Sequence, residues 1–119
     1  MVKALITGGR DFSDQQFIYH TLDILHERYK FELIVHGDAK GADRLSGQWA
    51  DEAGVQQIKV PANWVGNGAR KAGPMRNQFM YDLIHPDICI AFPGGTGTAN
   101  MMKICYDADI IVIYTEEPL

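Results

Sequence analysis

The sequence predicts a doubly wound α/β fold, a parallel five-stranded sheet of order 3-2-1-4-5 with helices on both faces. Three observations carry that expectation. Short apolar runs alternate with stretches of helical periodicity along the whole chain, the pattern of successive βαβ units. The first and fourth runs are the most continuously apolar, as central strands buried on both faces must be. Glycine and other turn residues stand at the ends of the runs, and right-handed crossovers then distribute the helices over both faces.

The elements follow in order. Residues 2–7 form a buried strand that Gly8-Gly9 stops. Between residues 14 and 29, Ile18, Leu22, Leu25 and Tyr29 recur at spacings of four and three, one face of a helix, with Ser13 or Asp14 as its N-cap. Residues 32–36 form the second strand. A helix over about residues 42–53 ends at Gly54, a natural C′ residue. Residues 56–60 are half polar and read as an edge strand. Residues 61–73 read as a long polar loop, and Pro74 opens a helix to about residue 84, because a first turn tolerates the missing N–H. The fourth strand takes residues 87–92, a short helix about residues 98–108, the fifth strand residues 110–114, and residues 115–119 read as a frayed tail.

With 119 residues, of which 46% are hydrophobic, the chain supports one domain over residues 1–119 with its own core. Small domains bury a lower fraction of their surface, so a homodimer is expected. A net charge of −4 argues against a dedicated nucleic-acid binder, which draws its affinity from positive charge set against phosphates. Cys89 and Cys105 form no disulfide framework or zinc pattern and read as small core residues. The four histidines, His20, His26, His36 and His85, lack ligand spacing; no metal and no cofactor are expected. Met1-Val2-Lys3 enters a strand directly, without a signal peptide or a run of membrane-spanning length. A cytoplasmic protein with no membrane partner is expected.

In such a sheet, ligands bind beyond the carboxyl ends of the strands where the strand order reverses. The loops predicted there are Thr7-Gly8-Gly9-Arg10-Asp11-Phe12 and Pro93-Gly94-Gly95-Thr96-Gly97-Thr98. Glycines let backbone amides approach a phosphate, and the second loop feeds a helix whose first N–H groups lack partners and carry partial positive charge. Thr96 and Thr98 add hydroxyls. The competing reading is a strand-to-helix turn that needs positive φ, for which one or two glycines suffice. The loop matches neither G-x-G-x-x-G nor the P-loop, which disfavours an ordinary NAD or ATP site. Six of the eleven Lys and Arg residues, Arg10, Lys40, Arg44, Arg70, Lys71 and Arg76, fall in or just after these edge loops, a concentration suited to an anionic ligand. Arg10 and Arg76, the latter on the first turn of a helix, are the favoured contacts. Asp43 reads either as a first-turn carboxylate that satisfies amides or holds Arg44 or Arg10, or as a ribose contact or catalytic group. Trp64 either stacks on a base or pins its loop to the core.

Five segments, taken together and in order, resemble the SLOG superfamily, specifically its small YspA-related group. They are Thr7 to Phe12, His36-Gly37-Asp38-Ala39-Lys40-Gly41-Ala42-Asp43, Pro61-Ala62-Asn63-Trp64, Ala72-Gly73-Pro74-Met75-Arg76-Asn77 and Pro93 to Thr98. The resemblance implies a Rossmann-like fold and a role in binding or processing nucleotides and nucleotide-derived signals. Relatives include LOG enzymes, which hydrolyse nucleoside monophosphates at the N-glycosidic bond and are typically dimers, and DprA, which binds single-stranded DNA. The LOG loop reads Pro-Gly-Gly-x-Gly-Thr-x-x-Glu with a catalytic glutamate, and this chain has Met101 at that position. A thioether neither stabilises an oxocarbenium-like state nor activates water. The family's arginine corresponds to Arg76, and Asn63 stands where the group usually has aspartate.

The ligand-binding set expected is therefore Gly8, Gly9, Arg10, Asp43, Arg76, Asn77, Gly94, Gly95, Thr96, Gly97 and Thr98. The first expectation is binding or sensing of a nucleotide-derived small molecule. The alternative is a nucleotide N-glycosidase in which Asp11, Asp38 or Asp43 substitutes for the glutamate and Arg76 assists. Single-stranded DNA binding is the least favoured, on charge and size.

Overall fold

The computed structural model describes residues 1–62 and 69–116. Five parallel strands form one sheet in the order β3-β2-β1-β4-β5, as the alternation of apolar runs and helical stretches predicts. The strands are β1 (Val2–Thr7), β2 (Phe31–His36), β3 (Gln56–Lys59), β4 (Ile88–Ala91) and β5 (Ile111–Tyr114); the helices are α1 (Gln15–Tyr29), α2 (Ala42–Ala53), α3 (Ala69–Ile84) and α4 (Thr96–Asp107).

One face of the sheet is covered by α1 and α2 over a core that includes Ile6, Ile18, Leu22, Leu25, Ile34, Trp49 and Phe92. The other is covered by α3 and α4 over Leu5, Val35, Met80, Cys89, Met101 and Cys105. Residues of β1 alternate between the two cores, Ala4 and Ile6 to the first and Leu5 to the second, the period of two that a strand imposes. Asp14 caps α1 by accepting the Phe17 amide at 3.1 Å. Gly54 closes α2 in the left-handed conformation, φ +73°. Cys89 and Cys105 are both fully buried, away from the carboxyl-end loops.

Strand ends differ from expectation by a single residue, and three features differ by more. The helix α3 begins at Ala69, so Pro74 sits inside it rather than at its first turn. Ala69, Arg70, Lys71 and Ala72 are strong helix formers, and they carry the helix upstream of the proline at the loss of one backbone bond. Residue Arg76 consequently lies two turns into the helix. The helix α4 begins at Thr96 rather than Thr98, which makes Thr96, Gly97 and Thr98 its first three residues. Thr115 is not frayed: it is buried, and its N–H and hydroxyl both donate to the Ala91 carbonyl, at 2.9 and 3.2 Å. Residues 117–119 of the expected tail, together with Asn63 and Trp64, lie outside the described residues, as do the side chains of Arg70 and Lys71. No described helix is long and apolar enough to cross a membrane.

Because Leu22 is fully buried between α1 and the sheet while Phe79 is half exposed on α3, their truncations should separate cleanly. Leu22→Ala should cost about 2–5 kcal/mol in denaturant unfolding, and Phe79→Ala much less. Equal losses would contradict this layer assignment.

Candidate functional site

The loops after β1, β2 and β4 meet at the carboxyl edge of the sheet, held by the backbone of Gly9. Its N–H donates to the Pro93 carbonyl at 2.8 Å, and its own carbonyl accepts the amides of Ala42 and Phe12, each at 3.2 Å. A Cβ on Gly9 would lie 2.8 Å from the Pro93 oxygen. At Gly41, φ is +89° and a Cβ would lie 2.5 Å from the Gly9 and Arg10 carbonyls. Both positions therefore require glycine, one for close approach and one also for conformation. The result is an open crevice of about 1120 Å³ whose walls include Gly8, Gly9, Arg10, Asp43, Arg76 and Thr98.

On one wall, α4 presents its N-terminus. Gly95 is the N-cap with no side-chain partner, and the first helical bond is Ala99 N–H to the Gly95 carbonyl at 3.0 Å. The amides of Thr96, Gly97 and Thr98 precede that bond and have no backbone acceptor among the described residues, as helix geometry requires of a first turn. Thr98 is only 4% exposed, lines the crevice, and its hydroxyl has no hydrogen-bond partner. A buried hydroxyl left in that state costs free energy of about 1–3 kcal/mol.

The facing wall is built by α3. Arg76 donates from Nε to Asn77 Oδ1 at 2.9 Å and from Nη1 to the Gly37 carbonyl at 2.8 Å. Asn77 is buried, and its amide nitrogen donates to the Gly97 carbonyl at 3.1 Å and to Asn100 Oδ1 at 2.9 Å. This one side chain thus fixes the arginine relative to the first turn of α4. Burial lowers the Arg76 guanidinium from its ordinary value, Asp43 opposes that shift, and Arg10 adds to it.

Asp43, on the first turn of α2 and 6% exposed, accepts the amides of Gly37 and Ala39 through Oδ2, both at 3.2 Å. The expectation that it satisfies amides fits this geometry. Arg44 goes elsewhere, its Nε 3.6 Å from Asp38 Oδ1. Burial pushes the Asp43 carboxyl up from its ordinary value, against the pull of the His36 ring, the two amides and Arg76. His36 is fully buried; its Nδ1 accepts the Asp38 amide at 3.0 Å, so Nε2 carries the proton and donates to Gln57 Oε1 at 2.8 Å.

Of the three aspartates considered for catalysis, Asp11 is exposed, Asp38 is paired with Arg44, and Asp43 is bound to amides. Met101 is fully buried in the core beneath α4, in the same cluster as Leu5 and Met80. The sequence reading missed Asn100 and the His36–Gln57 pair. Nothing marks Asn100 in the sequence, because its role depends on α3 lying beside α4. His36 stands in a quoted segment, but its partner comes from β3, twenty-one residues on.

Fold and crevice together define a class: a Rossmann-like α/β domain whose glycine-rich loops and cations surround the topological switch point. Within that class, the model of the YspA, cpYpsA-related SLOG family matches residues 2–65. Gene 61 protein of Mycobacterium phage D29 is 36% identical over 121 residues, covering 95% of each chain. The chain belongs to the YspA, cpYpsA-related SLOG family. The family match takes in the β1 loop and Asp43 but ends before Arg76 and the α4 loop. A crystal structure of UDP-N-acetylglucosamine 2-epimerase superposes with TM-score 0.60 at 14% identity, over 99% of this chain and 34% of that one. The chain thus spans about a third of the epimerase, and the likeness is one of fold.

A carboxyl raised in the folded state binds more protons folded than unfolded between its ordinary value, 3.8, and its folded value, so stability falls as pH rises through that interval. Asp43→Asn removes this contribution. The stability of the variant relative to wild type should therefore climb as pH rises above 3.8, read by denaturant unfolding at several pH values. A flat difference would contradict the direction assigned to Asp43.

Proposed function

We propose that the protein binds a phosphate-bearing nucleotide or nucleotide-derived small molecule in this crevice and does not cleave it. The observation that carries the reading is the first turn of α4, Thr96 to Thr98. Beside the buried, unpartnered Thr98 hydroxyl, this turn leaves three amides without backbone acceptors among the described residues at the crevice wall, an arrangement suited to an anion oxygen at the helix N-terminus. Membership of the SLOG family and the Rossmann-like fold support a nucleotide-related role in general terms. Against cleavage stands Met101, a buried thioether where LOG enzymes carry glutamate.

The second reading, N-glycosidic hydrolysis with a displaced aspartate, keeps one supporting observation. Asp43 borders the crevice and has a raised carboxyl, a property of catalytic acids. Its Oδ2 is already spent on two amides, which favours a structural or ribose-orienting role. Following free base by chromatography after incubation with a nucleotide panel separates the two readings. No release is expected, and release that disappears in Asp43→Asn would establish the enzyme instead.

The anion seat has its own test. A Cβ on Gly95 meets nothing within 4 Å, and aspartate is a favourable N-cap. Gly95→Asp should leave the melting temperature unchanged or slightly raised. By placing a carboxylate where the phosphate sits, it should weaken nucleotide binding by about tenfold or more. Unchanged affinity in calorimetric titration would show that α4 does not hold the phosphate.

A further inference from the structure

The crevice holds two distinct sets of anion-attracting groups. The first is neutral: the Thr96, Gly97 and Thr98 amides with the Thr98 hydroxyl. These donors suffice for the oxygens of one phosphate. The second is charged. Arg10 and Arg76 both line the crevice, and Arg10 lies close enough for its charge to act on Arg76. Among the described residues neither makes an ion pair. The nearby carboxylates are committed elsewhere, Asp43 to the Gly37 and Ala39 amides and Asp38 to Arg44. Two guanidinium groups facing one cleft repel each other, and an anion placed between them removes that cost.

The two sets are adjacent but separate. Asn77 stands between them, one end of its amide on Arg76 Nε and the other on the Gly97 carbonyl. The Nη1 of Arg76 turns away from α4 toward the Gly37 carbonyl after β2. A phosphate at the first turn of α4 therefore leaves the arginine pair without a bound anion, with Asp43 as the carboxylate acting on Arg76. A second phosphate, joined through one bridging oxygen, would extend from that turn toward the pair across the same crevice. The open crevice, about 1120 Å³, is slightly larger than the roughly 300–1,000 Å³ of small-molecule sites and leaves room for a substituent beyond.

We infer that the ligand is of the nucleoside 5′-diphosphate class, its pyrophosphate shared between the first turn of α4 and the Arg10–Arg76 pair. The inference rests on the proposed function and specifies the ligand for the same crevice. For each of the four common bases, calorimetric titration of the purified protein with the 5′-monophosphate, the 5′-diphosphate and the 3′,5′-bisphosphate reads it. The 5′-diphosphate should bind about tenfold or more tightly than the monophosphate. In Arg10→Gln, an exposed position, that ratio should fall toward one. Because the ratio is taken within one protein, a general loss of folding leaves it unaffected. Equal affinity for mono- and diphosphate overturns the inference, as does tightest binding of the bisphosphate, or a ratio that Arg10→Gln leaves intact. Monophosphate binding that Gly95→Asp abolishes, without gain from a second phosphate, overturns the diphosphate assignment and preserves the proposed function. No binding by any of the three overturns both.

Discussion

The geometry of the site depends on the peptide groups of Gly9. One N–H and one carbonyl connect the loop after β1 to the loop after β4 and to the start of α2. Backbone hydrogen bonds at this spacing leave no room for a side chain, which is why Gly9 and Gly41 meet there. Each such bond contributes only about 1 kcal/mol net, but together they set the relative position of two helix N-termini. The close approach of the three loops at this point is made by backbone groups.

Around that joint the polar groups form a connected set rather than isolated pairs. His36 holds the Asp38 amide, Asp43 holds the amides of Gly37 and Ala39, and the Gly37 carbonyl receives Arg76. Asn77 then passes the constraint from Arg76 to α4. Buried groups of this kind are favourable only when their partners are in place, so the loop after β2 is pinned from three sides. Thr98 is the exception within the crevice, a buried hydroxyl with no hydrogen-bond partner among the described residues.

Most of the fold was legible in the sequence because local signals and topology agree. The period of helix α1, the apolar runs of β1 and β4 and the half-polar β3 each follow from which face is buried. The failures have physical causes. Pro74 carries a strong signal for a helix start, yet the helix formers before it prevail. Thr115 reads as tail by composition, but the carbonyl of Ala91 lies within reach and orders it. For the site, the glycine loops and Arg76 could be named from the sequence because their chemistry is local, and the fold gathers them around one crevice. The commitment of Asp43 to two amides was one of several open options, and the link through Asn77 to Asn100 was hidden, since it requires knowing that α3 and α4 are neighbours.

Amide chemical shifts report directly on whether the first turn of α4 seats the phosphate. In a ¹⁵N-resolved titration of the protein with a nucleoside diphosphate, the amides of Gly95, Thr96, Gly97 and Thr98 should move together along one saturating curve. Shifts at these positions should exceed those at the exposed C-terminal end of the same helix, around Lys103 and Tyr106. Saturable binding that leaves the four amides unmoved would contradict a phosphate seat at this turn.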